Sequence, residues 1–333
     1  MRGEKICVIG AGSWGTTLAD LLARKDYEVV LWAREAEVVA GIRDTGENRM
    51  FLPGVKLSAN LKAEGSLKEA LKEKKIIVNV VPSHGVRDVF KEAAEFIPTG
   101  ALVVSATKGV EGETLMRPSA VIRDVLKDKK VRVATLSGPS FAKEVSRRLP
   151  TAVTASSGSP EAARTVQEVF STAYFRVYTN PDVTGVELGG ALKNVIAIAS
   201  GISDGLGLGY NARAALITRG LAEMSRLGAE LGANPATFSG LSGLGDLVLT
   251  CTGPLSRNYT LGLKIGAGKR PGDVVEAMTM VAEGFKTSGA VRALARKKGV
   301  DMPITEGVYS VLYEDKPPEE AVYELMTRAL KGE

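Results

Sequence analysis

Gly10-Ala11-Gly12-Ser13-Trp14-Gly15 directly follows the apolar run Lys5 to Ile9 and opens a segment that sets Leu18, Leu21 and Leu22 on one helical face. In that strand–turn–helix context a G-x-G-x-x-G pattern suits the pyrophosphate of a dinucleotide. Gly10 makes the tight turn, Gly12 lets the phosphates approach the backbone, and Gly15 lets helix and strand pack closely. The free N–H groups at the helix start then face the negative charge. The second apolar run, Glu28 to Ala33, ends without a carboxylate, and Arg34 stands before the first acid, Glu35. A guanidinium there pairs with a 2′-phosphate or stacks on adenine. NADP(H) is therefore the expected cofactor, with NAD(H) also possible.

The second chemical feature is a lysine in the wrong company. The segment 187–200 is apolar nearly all round, as a buried central helix would be, and Lys193 sits in its middle. A buried ammonium needs a partner or a lowered pKa, and in either state it can exchange a proton with a substrate. The bland alternatives are a structural ion pair or a lysine that snorkels to the surface. Asp246 offers a partner on a glycine-rich loop, 240–246. Ser256, Arg257 and Asn258 follow as hydroxyl, guanidinium and amide, a set that suits phosphate. Lys108 adds a cation just after the run 101–105, at an expected carboxyl edge of the sheet. Together these residues imply hydride transfer to a phosphorylated carbonyl compound, with Lys193, Asp246 and Lys108 as candidate catalytic residues.

The elements that must position them alternate strand-like and helix-like up to about 180. Runs at 5–9, 28–33, 76–81, 101–105 and 132–136 read as strands. Val86, Val89, Phe90, Ala93 and Ile97 mark a helix. Beyond Asn180-Pro181 the signals are helical, at 211–231, 285–298, 303–312 and 319–330. In the first of these Ala214, Ile217, Leu221, Met224 and Leu231 share a face. The expected fold is α/β plus all-α: a Rossmann-type, mostly parallel sheet over 1–185, then a helical substrate-binding domain over 186–333.

Composition narrows the function. The 333 residues carry a net charge of +5, enough to favour an anionic small molecule but not a nucleic acid. Lys72 to Lys75 and Lys127 to Arg132 read as solvated helix ends. No apolar run reaches the roughly 18 residues of a membrane span. Met1 to Lys5 leads straight into a strand, with no apolar leader, and two cysteines make no disulfide framework, so a cytoplasmic location is expected. His84 is the single histidine, which excludes a His-cluster metal site. It follows a strand end and reads as a core or cofactor-wall residue rather than the proton donor.

At its motifs the chain resembles the bacterial NAD(P)-dependent sn-glycerol-3-phosphate dehydrogenases. The matching pieces are GAGSWGTTLA (10–19), SATKG (105–109), SGPSFAKEV (137–145), the long block 187–220, GLSGLGDLVLTCTGPLSRN (240–258) and VAEGFKT (281–287). The resemblance implies reversible reduction of dihydroxyacetone phosphate to sn-glycerol 3-phosphate, a step that feeds phospholipid synthesis. It implies Lys193 as proton donor and acceptor at C2, and Lys108, Gly138, Ser140, Asp246, Ser256, Arg257 and Asn258 around the substrate. Ser13, Trp14, Arg34, Lys108, Ala142, Arg257, Val281 and Glu283 would contact the cofactor. A homodimer packed through the helical half is implied as well. The region 288–333 matches only as helical pattern.

Two other readings stay open at this point. The β-hydroxyacid dehydrogenases also carry a helix-borne lysine, but their spacing would put Asn at 197, where this chain has Ala197 and places Asn194 beside the lysine. A non-catalytic NADPH sensor would need neither Lys193 nor Asp246.

Overall fold

The computed structural model describes residues 4–278, 282–330 and 332. They form two compact units, one of residues 1–108 with 116–187, the other of 109–115 with 188–333. Set against the expected bounds of 1–185 and 186–333, the division differs mainly at 109–115. That short segment sits with the second unit because Val110 and Leu115 pack with Ala191 and Ala290.

The first unit is a single sheet. Its strands are β1 (Lys5–Ile9), β2 (Glu28–Trp32), β3 (Leu61–Glu64), β4 (Ile76–Asn79), β5 (Leu102–Ser105), β6 (Arg132–Ser137), β7 (Thr151–Ser157) and β8 (Phe175–Asn180). They lie in the order β3-β2-β1-β4-β5-β6-β7-β8. Its helices are α1 (Ser13–Ala23), α2 (Ala36–Thr45), α3 (Leu67–Leu71), α4 (Val86–Ala93), α5 (Pro118–Val125), α6 (Ala142–Ser146) and α7 (Pro160–Phe170). The central strands are apolar along most of their length because both faces are covered, with Asn79 and Ser105 as polar residues at the ends of β4 and β5. Val8, Leu31 and Val104 share one core with Leu18 and Leu22 of α1 and Phe170 of α7. Cys7, Ile77 and Val103 share another with Val86, Val89 and Phe90 of α4. Each such side chain taken from water contributes roughly 1.5–3 kcal/mol.

Every strand pair is parallel except β6 with β7. α6 has only 5 residues, about 7.5 Å of helical rise. That is too short to return the chain to the start of the 6-residue β6, which spans about 20 Å. The chain therefore runs back alongside β6 instead. One charge departs from expectation: Lys74 is buried and donates to Glu28 at 3.1 Å, so it is no solvated helix end.

The second unit is helical. α8 (Val183–Gly205) begins in the first unit and carries on into the second, followed by α9 (Gly209–Glu230), α10 (Pro235–Phe238) and a π-turn at Leu241–Gly245. Then come α11 (Asp246–Thr252), α12 (Arg257–Gly266), α13 (Pro271–Glu276), α14 (Glu283–Lys298), α15 (Pro303–Tyr313) and α16 (Pro318–Met326). α8 is long and apolar enough to cross a membrane, yet its apolar stretch is wholly buried. Its glycines explain how it is buried. A Cβ on Gly201 would lie 2.1 Å from Tyr259 O, and one on Gly262 would lie 2.1 Å from Ile198 O. The backbones of α8 and α12 touch, which only glycine permits.

The apolar face expected on α9 is covered only in its second half. Met224 is fully buried, Ile217 and Leu221 are half-buried, and Ala214 is exposed. α16 ends at Met326, short of the expected Leu330.

Candidate active site

The glycine turn lies where the sheet order reverses, between β1 and β4, the place where open α/β sheets bind ligands. Gly10 has φ +109°, and a Cβ there would meet Val80 C at 2.9 Å. A Cβ on Gly15 would lie 1.8 Å from Gly10 O. Gly12 is the opposite case: a Cβ there meets nothing within 4 Å. The turn is thus closed against the protein at Gly10 and Gly15 and open at Gly12, as an approaching pyrophosphate requires. Trp14 Nε1 is buried without a hydrogen-bond acceptor among the described residues. These residues fit a dinucleotide. Asn48, which sequence reasoning missed, braces the turn: its Nδ2 donates to Ala11 O at 2.8 Å and to Thr16 Oγ1 at 2.8 Å. Ser13 donates to Phe51 O, Ala142 opens α6, and Arg34 is exposed just past β2.

Two neighbouring strand ends carry the other polar residues of the first unit. Lys108, two residues beyond Ala106 and half-buried, donates from Nζ to Gly138 O at 3.0 Å, and Ser140 Oγ donates to the same oxygen at 3.0 Å. Gly138 has φ +145°, and a Cβ there would lie 2.9 Å from Val153 Cα. His84 is exposed in a 3-10 turn, so the core reading does not hold.

In the second unit Lys193 projects from the middle of α8 and is buried, with 8% of its side chain exposed against 1% for Asp246. Its Nζ donates to Asp246 Oδ1 at 2.7 Å and to Thr250 Oγ1 at 2.6 Å. Thr250 in turn donates to Asp246 O at 2.6 Å, as residues four apart on one helix can. The loop that delivers Asp246 comes close because a Cβ on Gly189 would be 2.4 Å from Ser242 O. The burial of each charge is offset by the other, and removing one partner alone costs roughly 3–5 kcal/mol. The residue beside the lysine is tied as well. Asn194 Oδ1 accepts from Asn258 Nδ2 at 2.9 Å, and Asn258 Oδ1 accepts from Gly284 N at 2.9 Å.

The Ser-Arg-Asn trio is divided by this arrangement. Ser256 caps α12, accepting from Tyr259 N at 3.2 Å, and Asn258 is turned inward. Arg257 is exposed at the first turn of α12 and makes no hydrogen bond among the described residues. Glu283 opens α14, while Val281 lies outside the described residues.

The sequence of each half matches a family model. Residues 5–163 match the NAD-dependent glycerol-3-phosphate dehydrogenase N-terminus, and residues 182–323 match the C-terminus of the same family. The chain belongs to the NAD-dependent glycerol-3-phosphate dehydrogenases. Within that family it is 59% identical over 332 residues to a glycerol-3-phosphate dehydrogenase [NAD(P)+] of Geobacter metallireducens, covering 99% of both chains. It is 57% identical over 331 residues to one of Geobacter sp. strain M21, again covering 99% of each. Among solved structures, glycerol-3-phosphate dehydrogenase from Coxiella burnetii superposes with a TM-score of 0.95 at 42% identity, over 98% of this chain and 100% of that one. The chain is an NAD(P)-dependent oxidoreductase of this family. Thr250 and Asn194 join its candidate residues. One clue to Thr250 was its place four residues after Asp246. Asn194 was visible only as the neighbour of Lys193.

Proposed function

We propose that the chain reversibly reduces dihydroxyacetone phosphate to sn-glycerol 3-phosphate, supplying the glycerol backbone of phospholipids. The observation that carries this reading is the buried Lys193–Asp246–Thr250 group, a proton source held by two partners. When bound, NAD(P)H supplies the hydride. Reduction at C2 leaves negative charge on the carbonyl oxygen, and the Lys193 ammonium stabilises that charge and gives up a proton. Asp246 holds the ammonium in place, and Thr250 sets its direction. Positioned proton transfer of this kind contributes roughly 10²–10⁴-fold. Arg257 and Lys108 are the cations assigned to the part of the phosphorylated substrate that does not react, with Gly138 and Ser140 beside Lys108, while Ser256 and Asn258 support Arg257 through the α12 cap and the inward Asn258 bonds. Gly10, Gly12, Ser13, Trp14 and Gly15 hold the pyrophosphate, with Ala142 and Glu283 as further cofactor contacts. The reading is tested by following oxidation of the reduced nicotinamide with dihydroxyacetone phosphate and, separately, with a keto acid. Turnover with the keto acid alone would overturn it.

NADPH is the preferred cofactor in this reading, supported by the exposed Arg34 past β2 and the absence of an acid between the end of β2 at Trp32 and Glu35. Arg34→Ala should raise the KM for NADPH by about tenfold, the value of one charge-assisted contact, and leave that for NADH near wild type. Equal changes for both would reject the role.

The protein acts in the cytoplasm as a homodimer packed through its second unit. Supporting the dimer, α9, α15 and α16 border an apolar cavity of about 490 Å³. At its edge Met326 is 79% and Leu330 101% exposed. Exposed apolar surface beside a groove suits a self-complementary contact. Met326→Asp with Leu330→Asp should give a monomer in sedimentation velocity; a dimer unchanged by both would place the contact elsewhere. Cys7 and Cys251, both free and buried, suit a reducing compartment.

A further inference from the structure

β4 ends on a fully buried asparagine, Asn79, in a position flanked by apolar strands. A carboxamide in such a place is costly unless its polar atoms are bonded. Here they close a ring. Asn79 Oδ1 accepts from Val81 N at 3.3 Å. Asn79 Nδ2 donates to Thr107 Oγ1 at 2.9 Å. Thr107 Oγ1 then donates to Val81 O at 2.7 Å, returning to the same residue. Ser105, the register partner of Asn79 on β5, lies at 3.4 Å from Nδ2.

The ring joins two places that the proposed site uses. Val80 and Val81 are the wall against which Gly10 turns, since a Cβ on Gly10 would lie 2.9 Å from Val80 C and 3.1 Å from Val81 N. Thr107 immediately precedes Lys108, whose ammonium reaches Gly138 O at 3.0 Å. We propose that Asn79 is a positioning residue: one carboxamide fixes both the strand end that backs the dinucleotide turn and the strand end that presents Lys108. It touches neither ligand and acts through Val81 and Thr107. The inference rests on the reading of Lys108 and the glycine turn given above.

The two arms of the carboxamide separate in experiment. Asn79→Leu keeps the shape and breaks the ring. It should raise the KM for dihydroxyacetone phosphate and the Kd for NADPH each by about tenfold, as loss of a buried hydrogen-bonded network does. The change in kcat should be much smaller, because Lys193 and its partners belong to the other unit. Thr107→Val cuts the Lys108 arm and the bond to Val81 O, and spares the bond from Val81 N. It should raise the KM for dihydroxyacetone phosphate by more than it raises the Kd for NADPH, and Thr107→Ser should restore wild-type values. A lower melting temperature with both constants unchanged in Asn79→Leu would overturn the proposal. If Asn79→Leu does not fold, wild-type constants in Thr107→Val would overturn it equally. Lys108→Ala serves as the control. An unchanged KM for dihydroxyacetone phosphate there would remove Lys108 from the site and the inference with it. A raised KM in Lys108→Ala beside a normal Asn79→Leu would reject the Asn79 role alone.

Discussion

The glycine turn of the first unit and the lysine site of the second solve opposite problems. The turn works by lacking side chains. Gly10 and Gly15 are pressed against backbone, while Gly12 faces open space, so a phosphate can reach N–H groups directly. The lysine site works by packing side chains together: an ammonium, a carboxylate and a hydroxyl are taken from water and bonded to one another. The first is built from six consecutive residues. The second draws on α8 and α11, brought within reach by the close approach at Gly189. A backbone cradle tolerates no added atom, whereas a buried charge tolerates no lost one.

The largest effect should come from losing the charge. Lys193→Ala should lower kcat by about 10²–10⁴-fold with little change in the Kd for NADPH, measured by steady-state kinetics and fluorescence titration. It also strands Asp246. Lys193→Met combined with Asp246→Leu should therefore recover stability in urea unfolding, but not activity. Recovery of activity in the double variant would remove the lysine from the chemistry.

Adding one atom to the turn comes next. Gly15→Ala puts a methyl group 1.8 Å from Gly10 O, a clash that the turn can relieve only by opening. The Kd for NADPH should rise by about a hundredfold, the loss of roughly 3 kcal/mol. Near-normal cofactor binding would show that the cradle is softer than its contacts suggest.

How much of each site was legible follows from the same contrast. The glycine turn and the strands around it stand in contiguous residues with a clear apolar period, so sequence alone could find them. β3 and β7 are faint in the sequence because Leu61–Glu64 is short and Thr151–Ser157 is mostly small and polar, whereas Phe175–Asn180 carries the buried–exposed alternation of a half-buried strand, a signal that was present but that sequence reasoning missed. The second site was readable only as an anomaly, a lysine among apolar neighbours. Thr250 was hinted at by its place four residues after Asp246, but its reach to Lys193 and the inward turn of Asn258 depend on which helices touch, and nothing local encodes that. The exposed first half of α9 is a similar case, since periodicity marks an apolar face without saying what covers it.

Another buried acid in the second unit tests whether bonding offsets burial. Glu223 of α9 accepts from Ile304 N at 2.6 Å, and from Thr305 N and Thr305 Oγ1 at 3.2 Å each, at the start of α15. Burial nonetheless pushes its pKa up to about 7, against an ordinary 4.5. The folded state then holds a proton that the unfolded state has released, so stability is greatest below the ordinary value and falls as pH rises toward 7. The fall should amount to about 3 kcal/mol, and Glu223→Gln should abolish it. A flat pH profile of urea unfolding in the wild type would mean that the helix start compensates the charge fully.

The smallest effect sharpens the lysine site itself. Thr250→Val keeps the Lys193–Asp246 pair and removes one acceptor. A loss of about tenfold in kcat with unchanged KM would fit a directing role. Wild-type turnover would leave the carboxylate as the sole orienting group.

The short passage 109–115 has a practical meaning for anyone who dissects this molecule. Cutting at the helix where the main division falls, and expressing 188–333 alone, would strip Val110 and Leu115 from beside Ala191 and Ala290. The fragment would expose a hole next to the very helix that carries the lysine. A separable helical half must be engineered with that seven-residue strip grafted back on, or it will report on a damaged scaffold rather than on its chemistry.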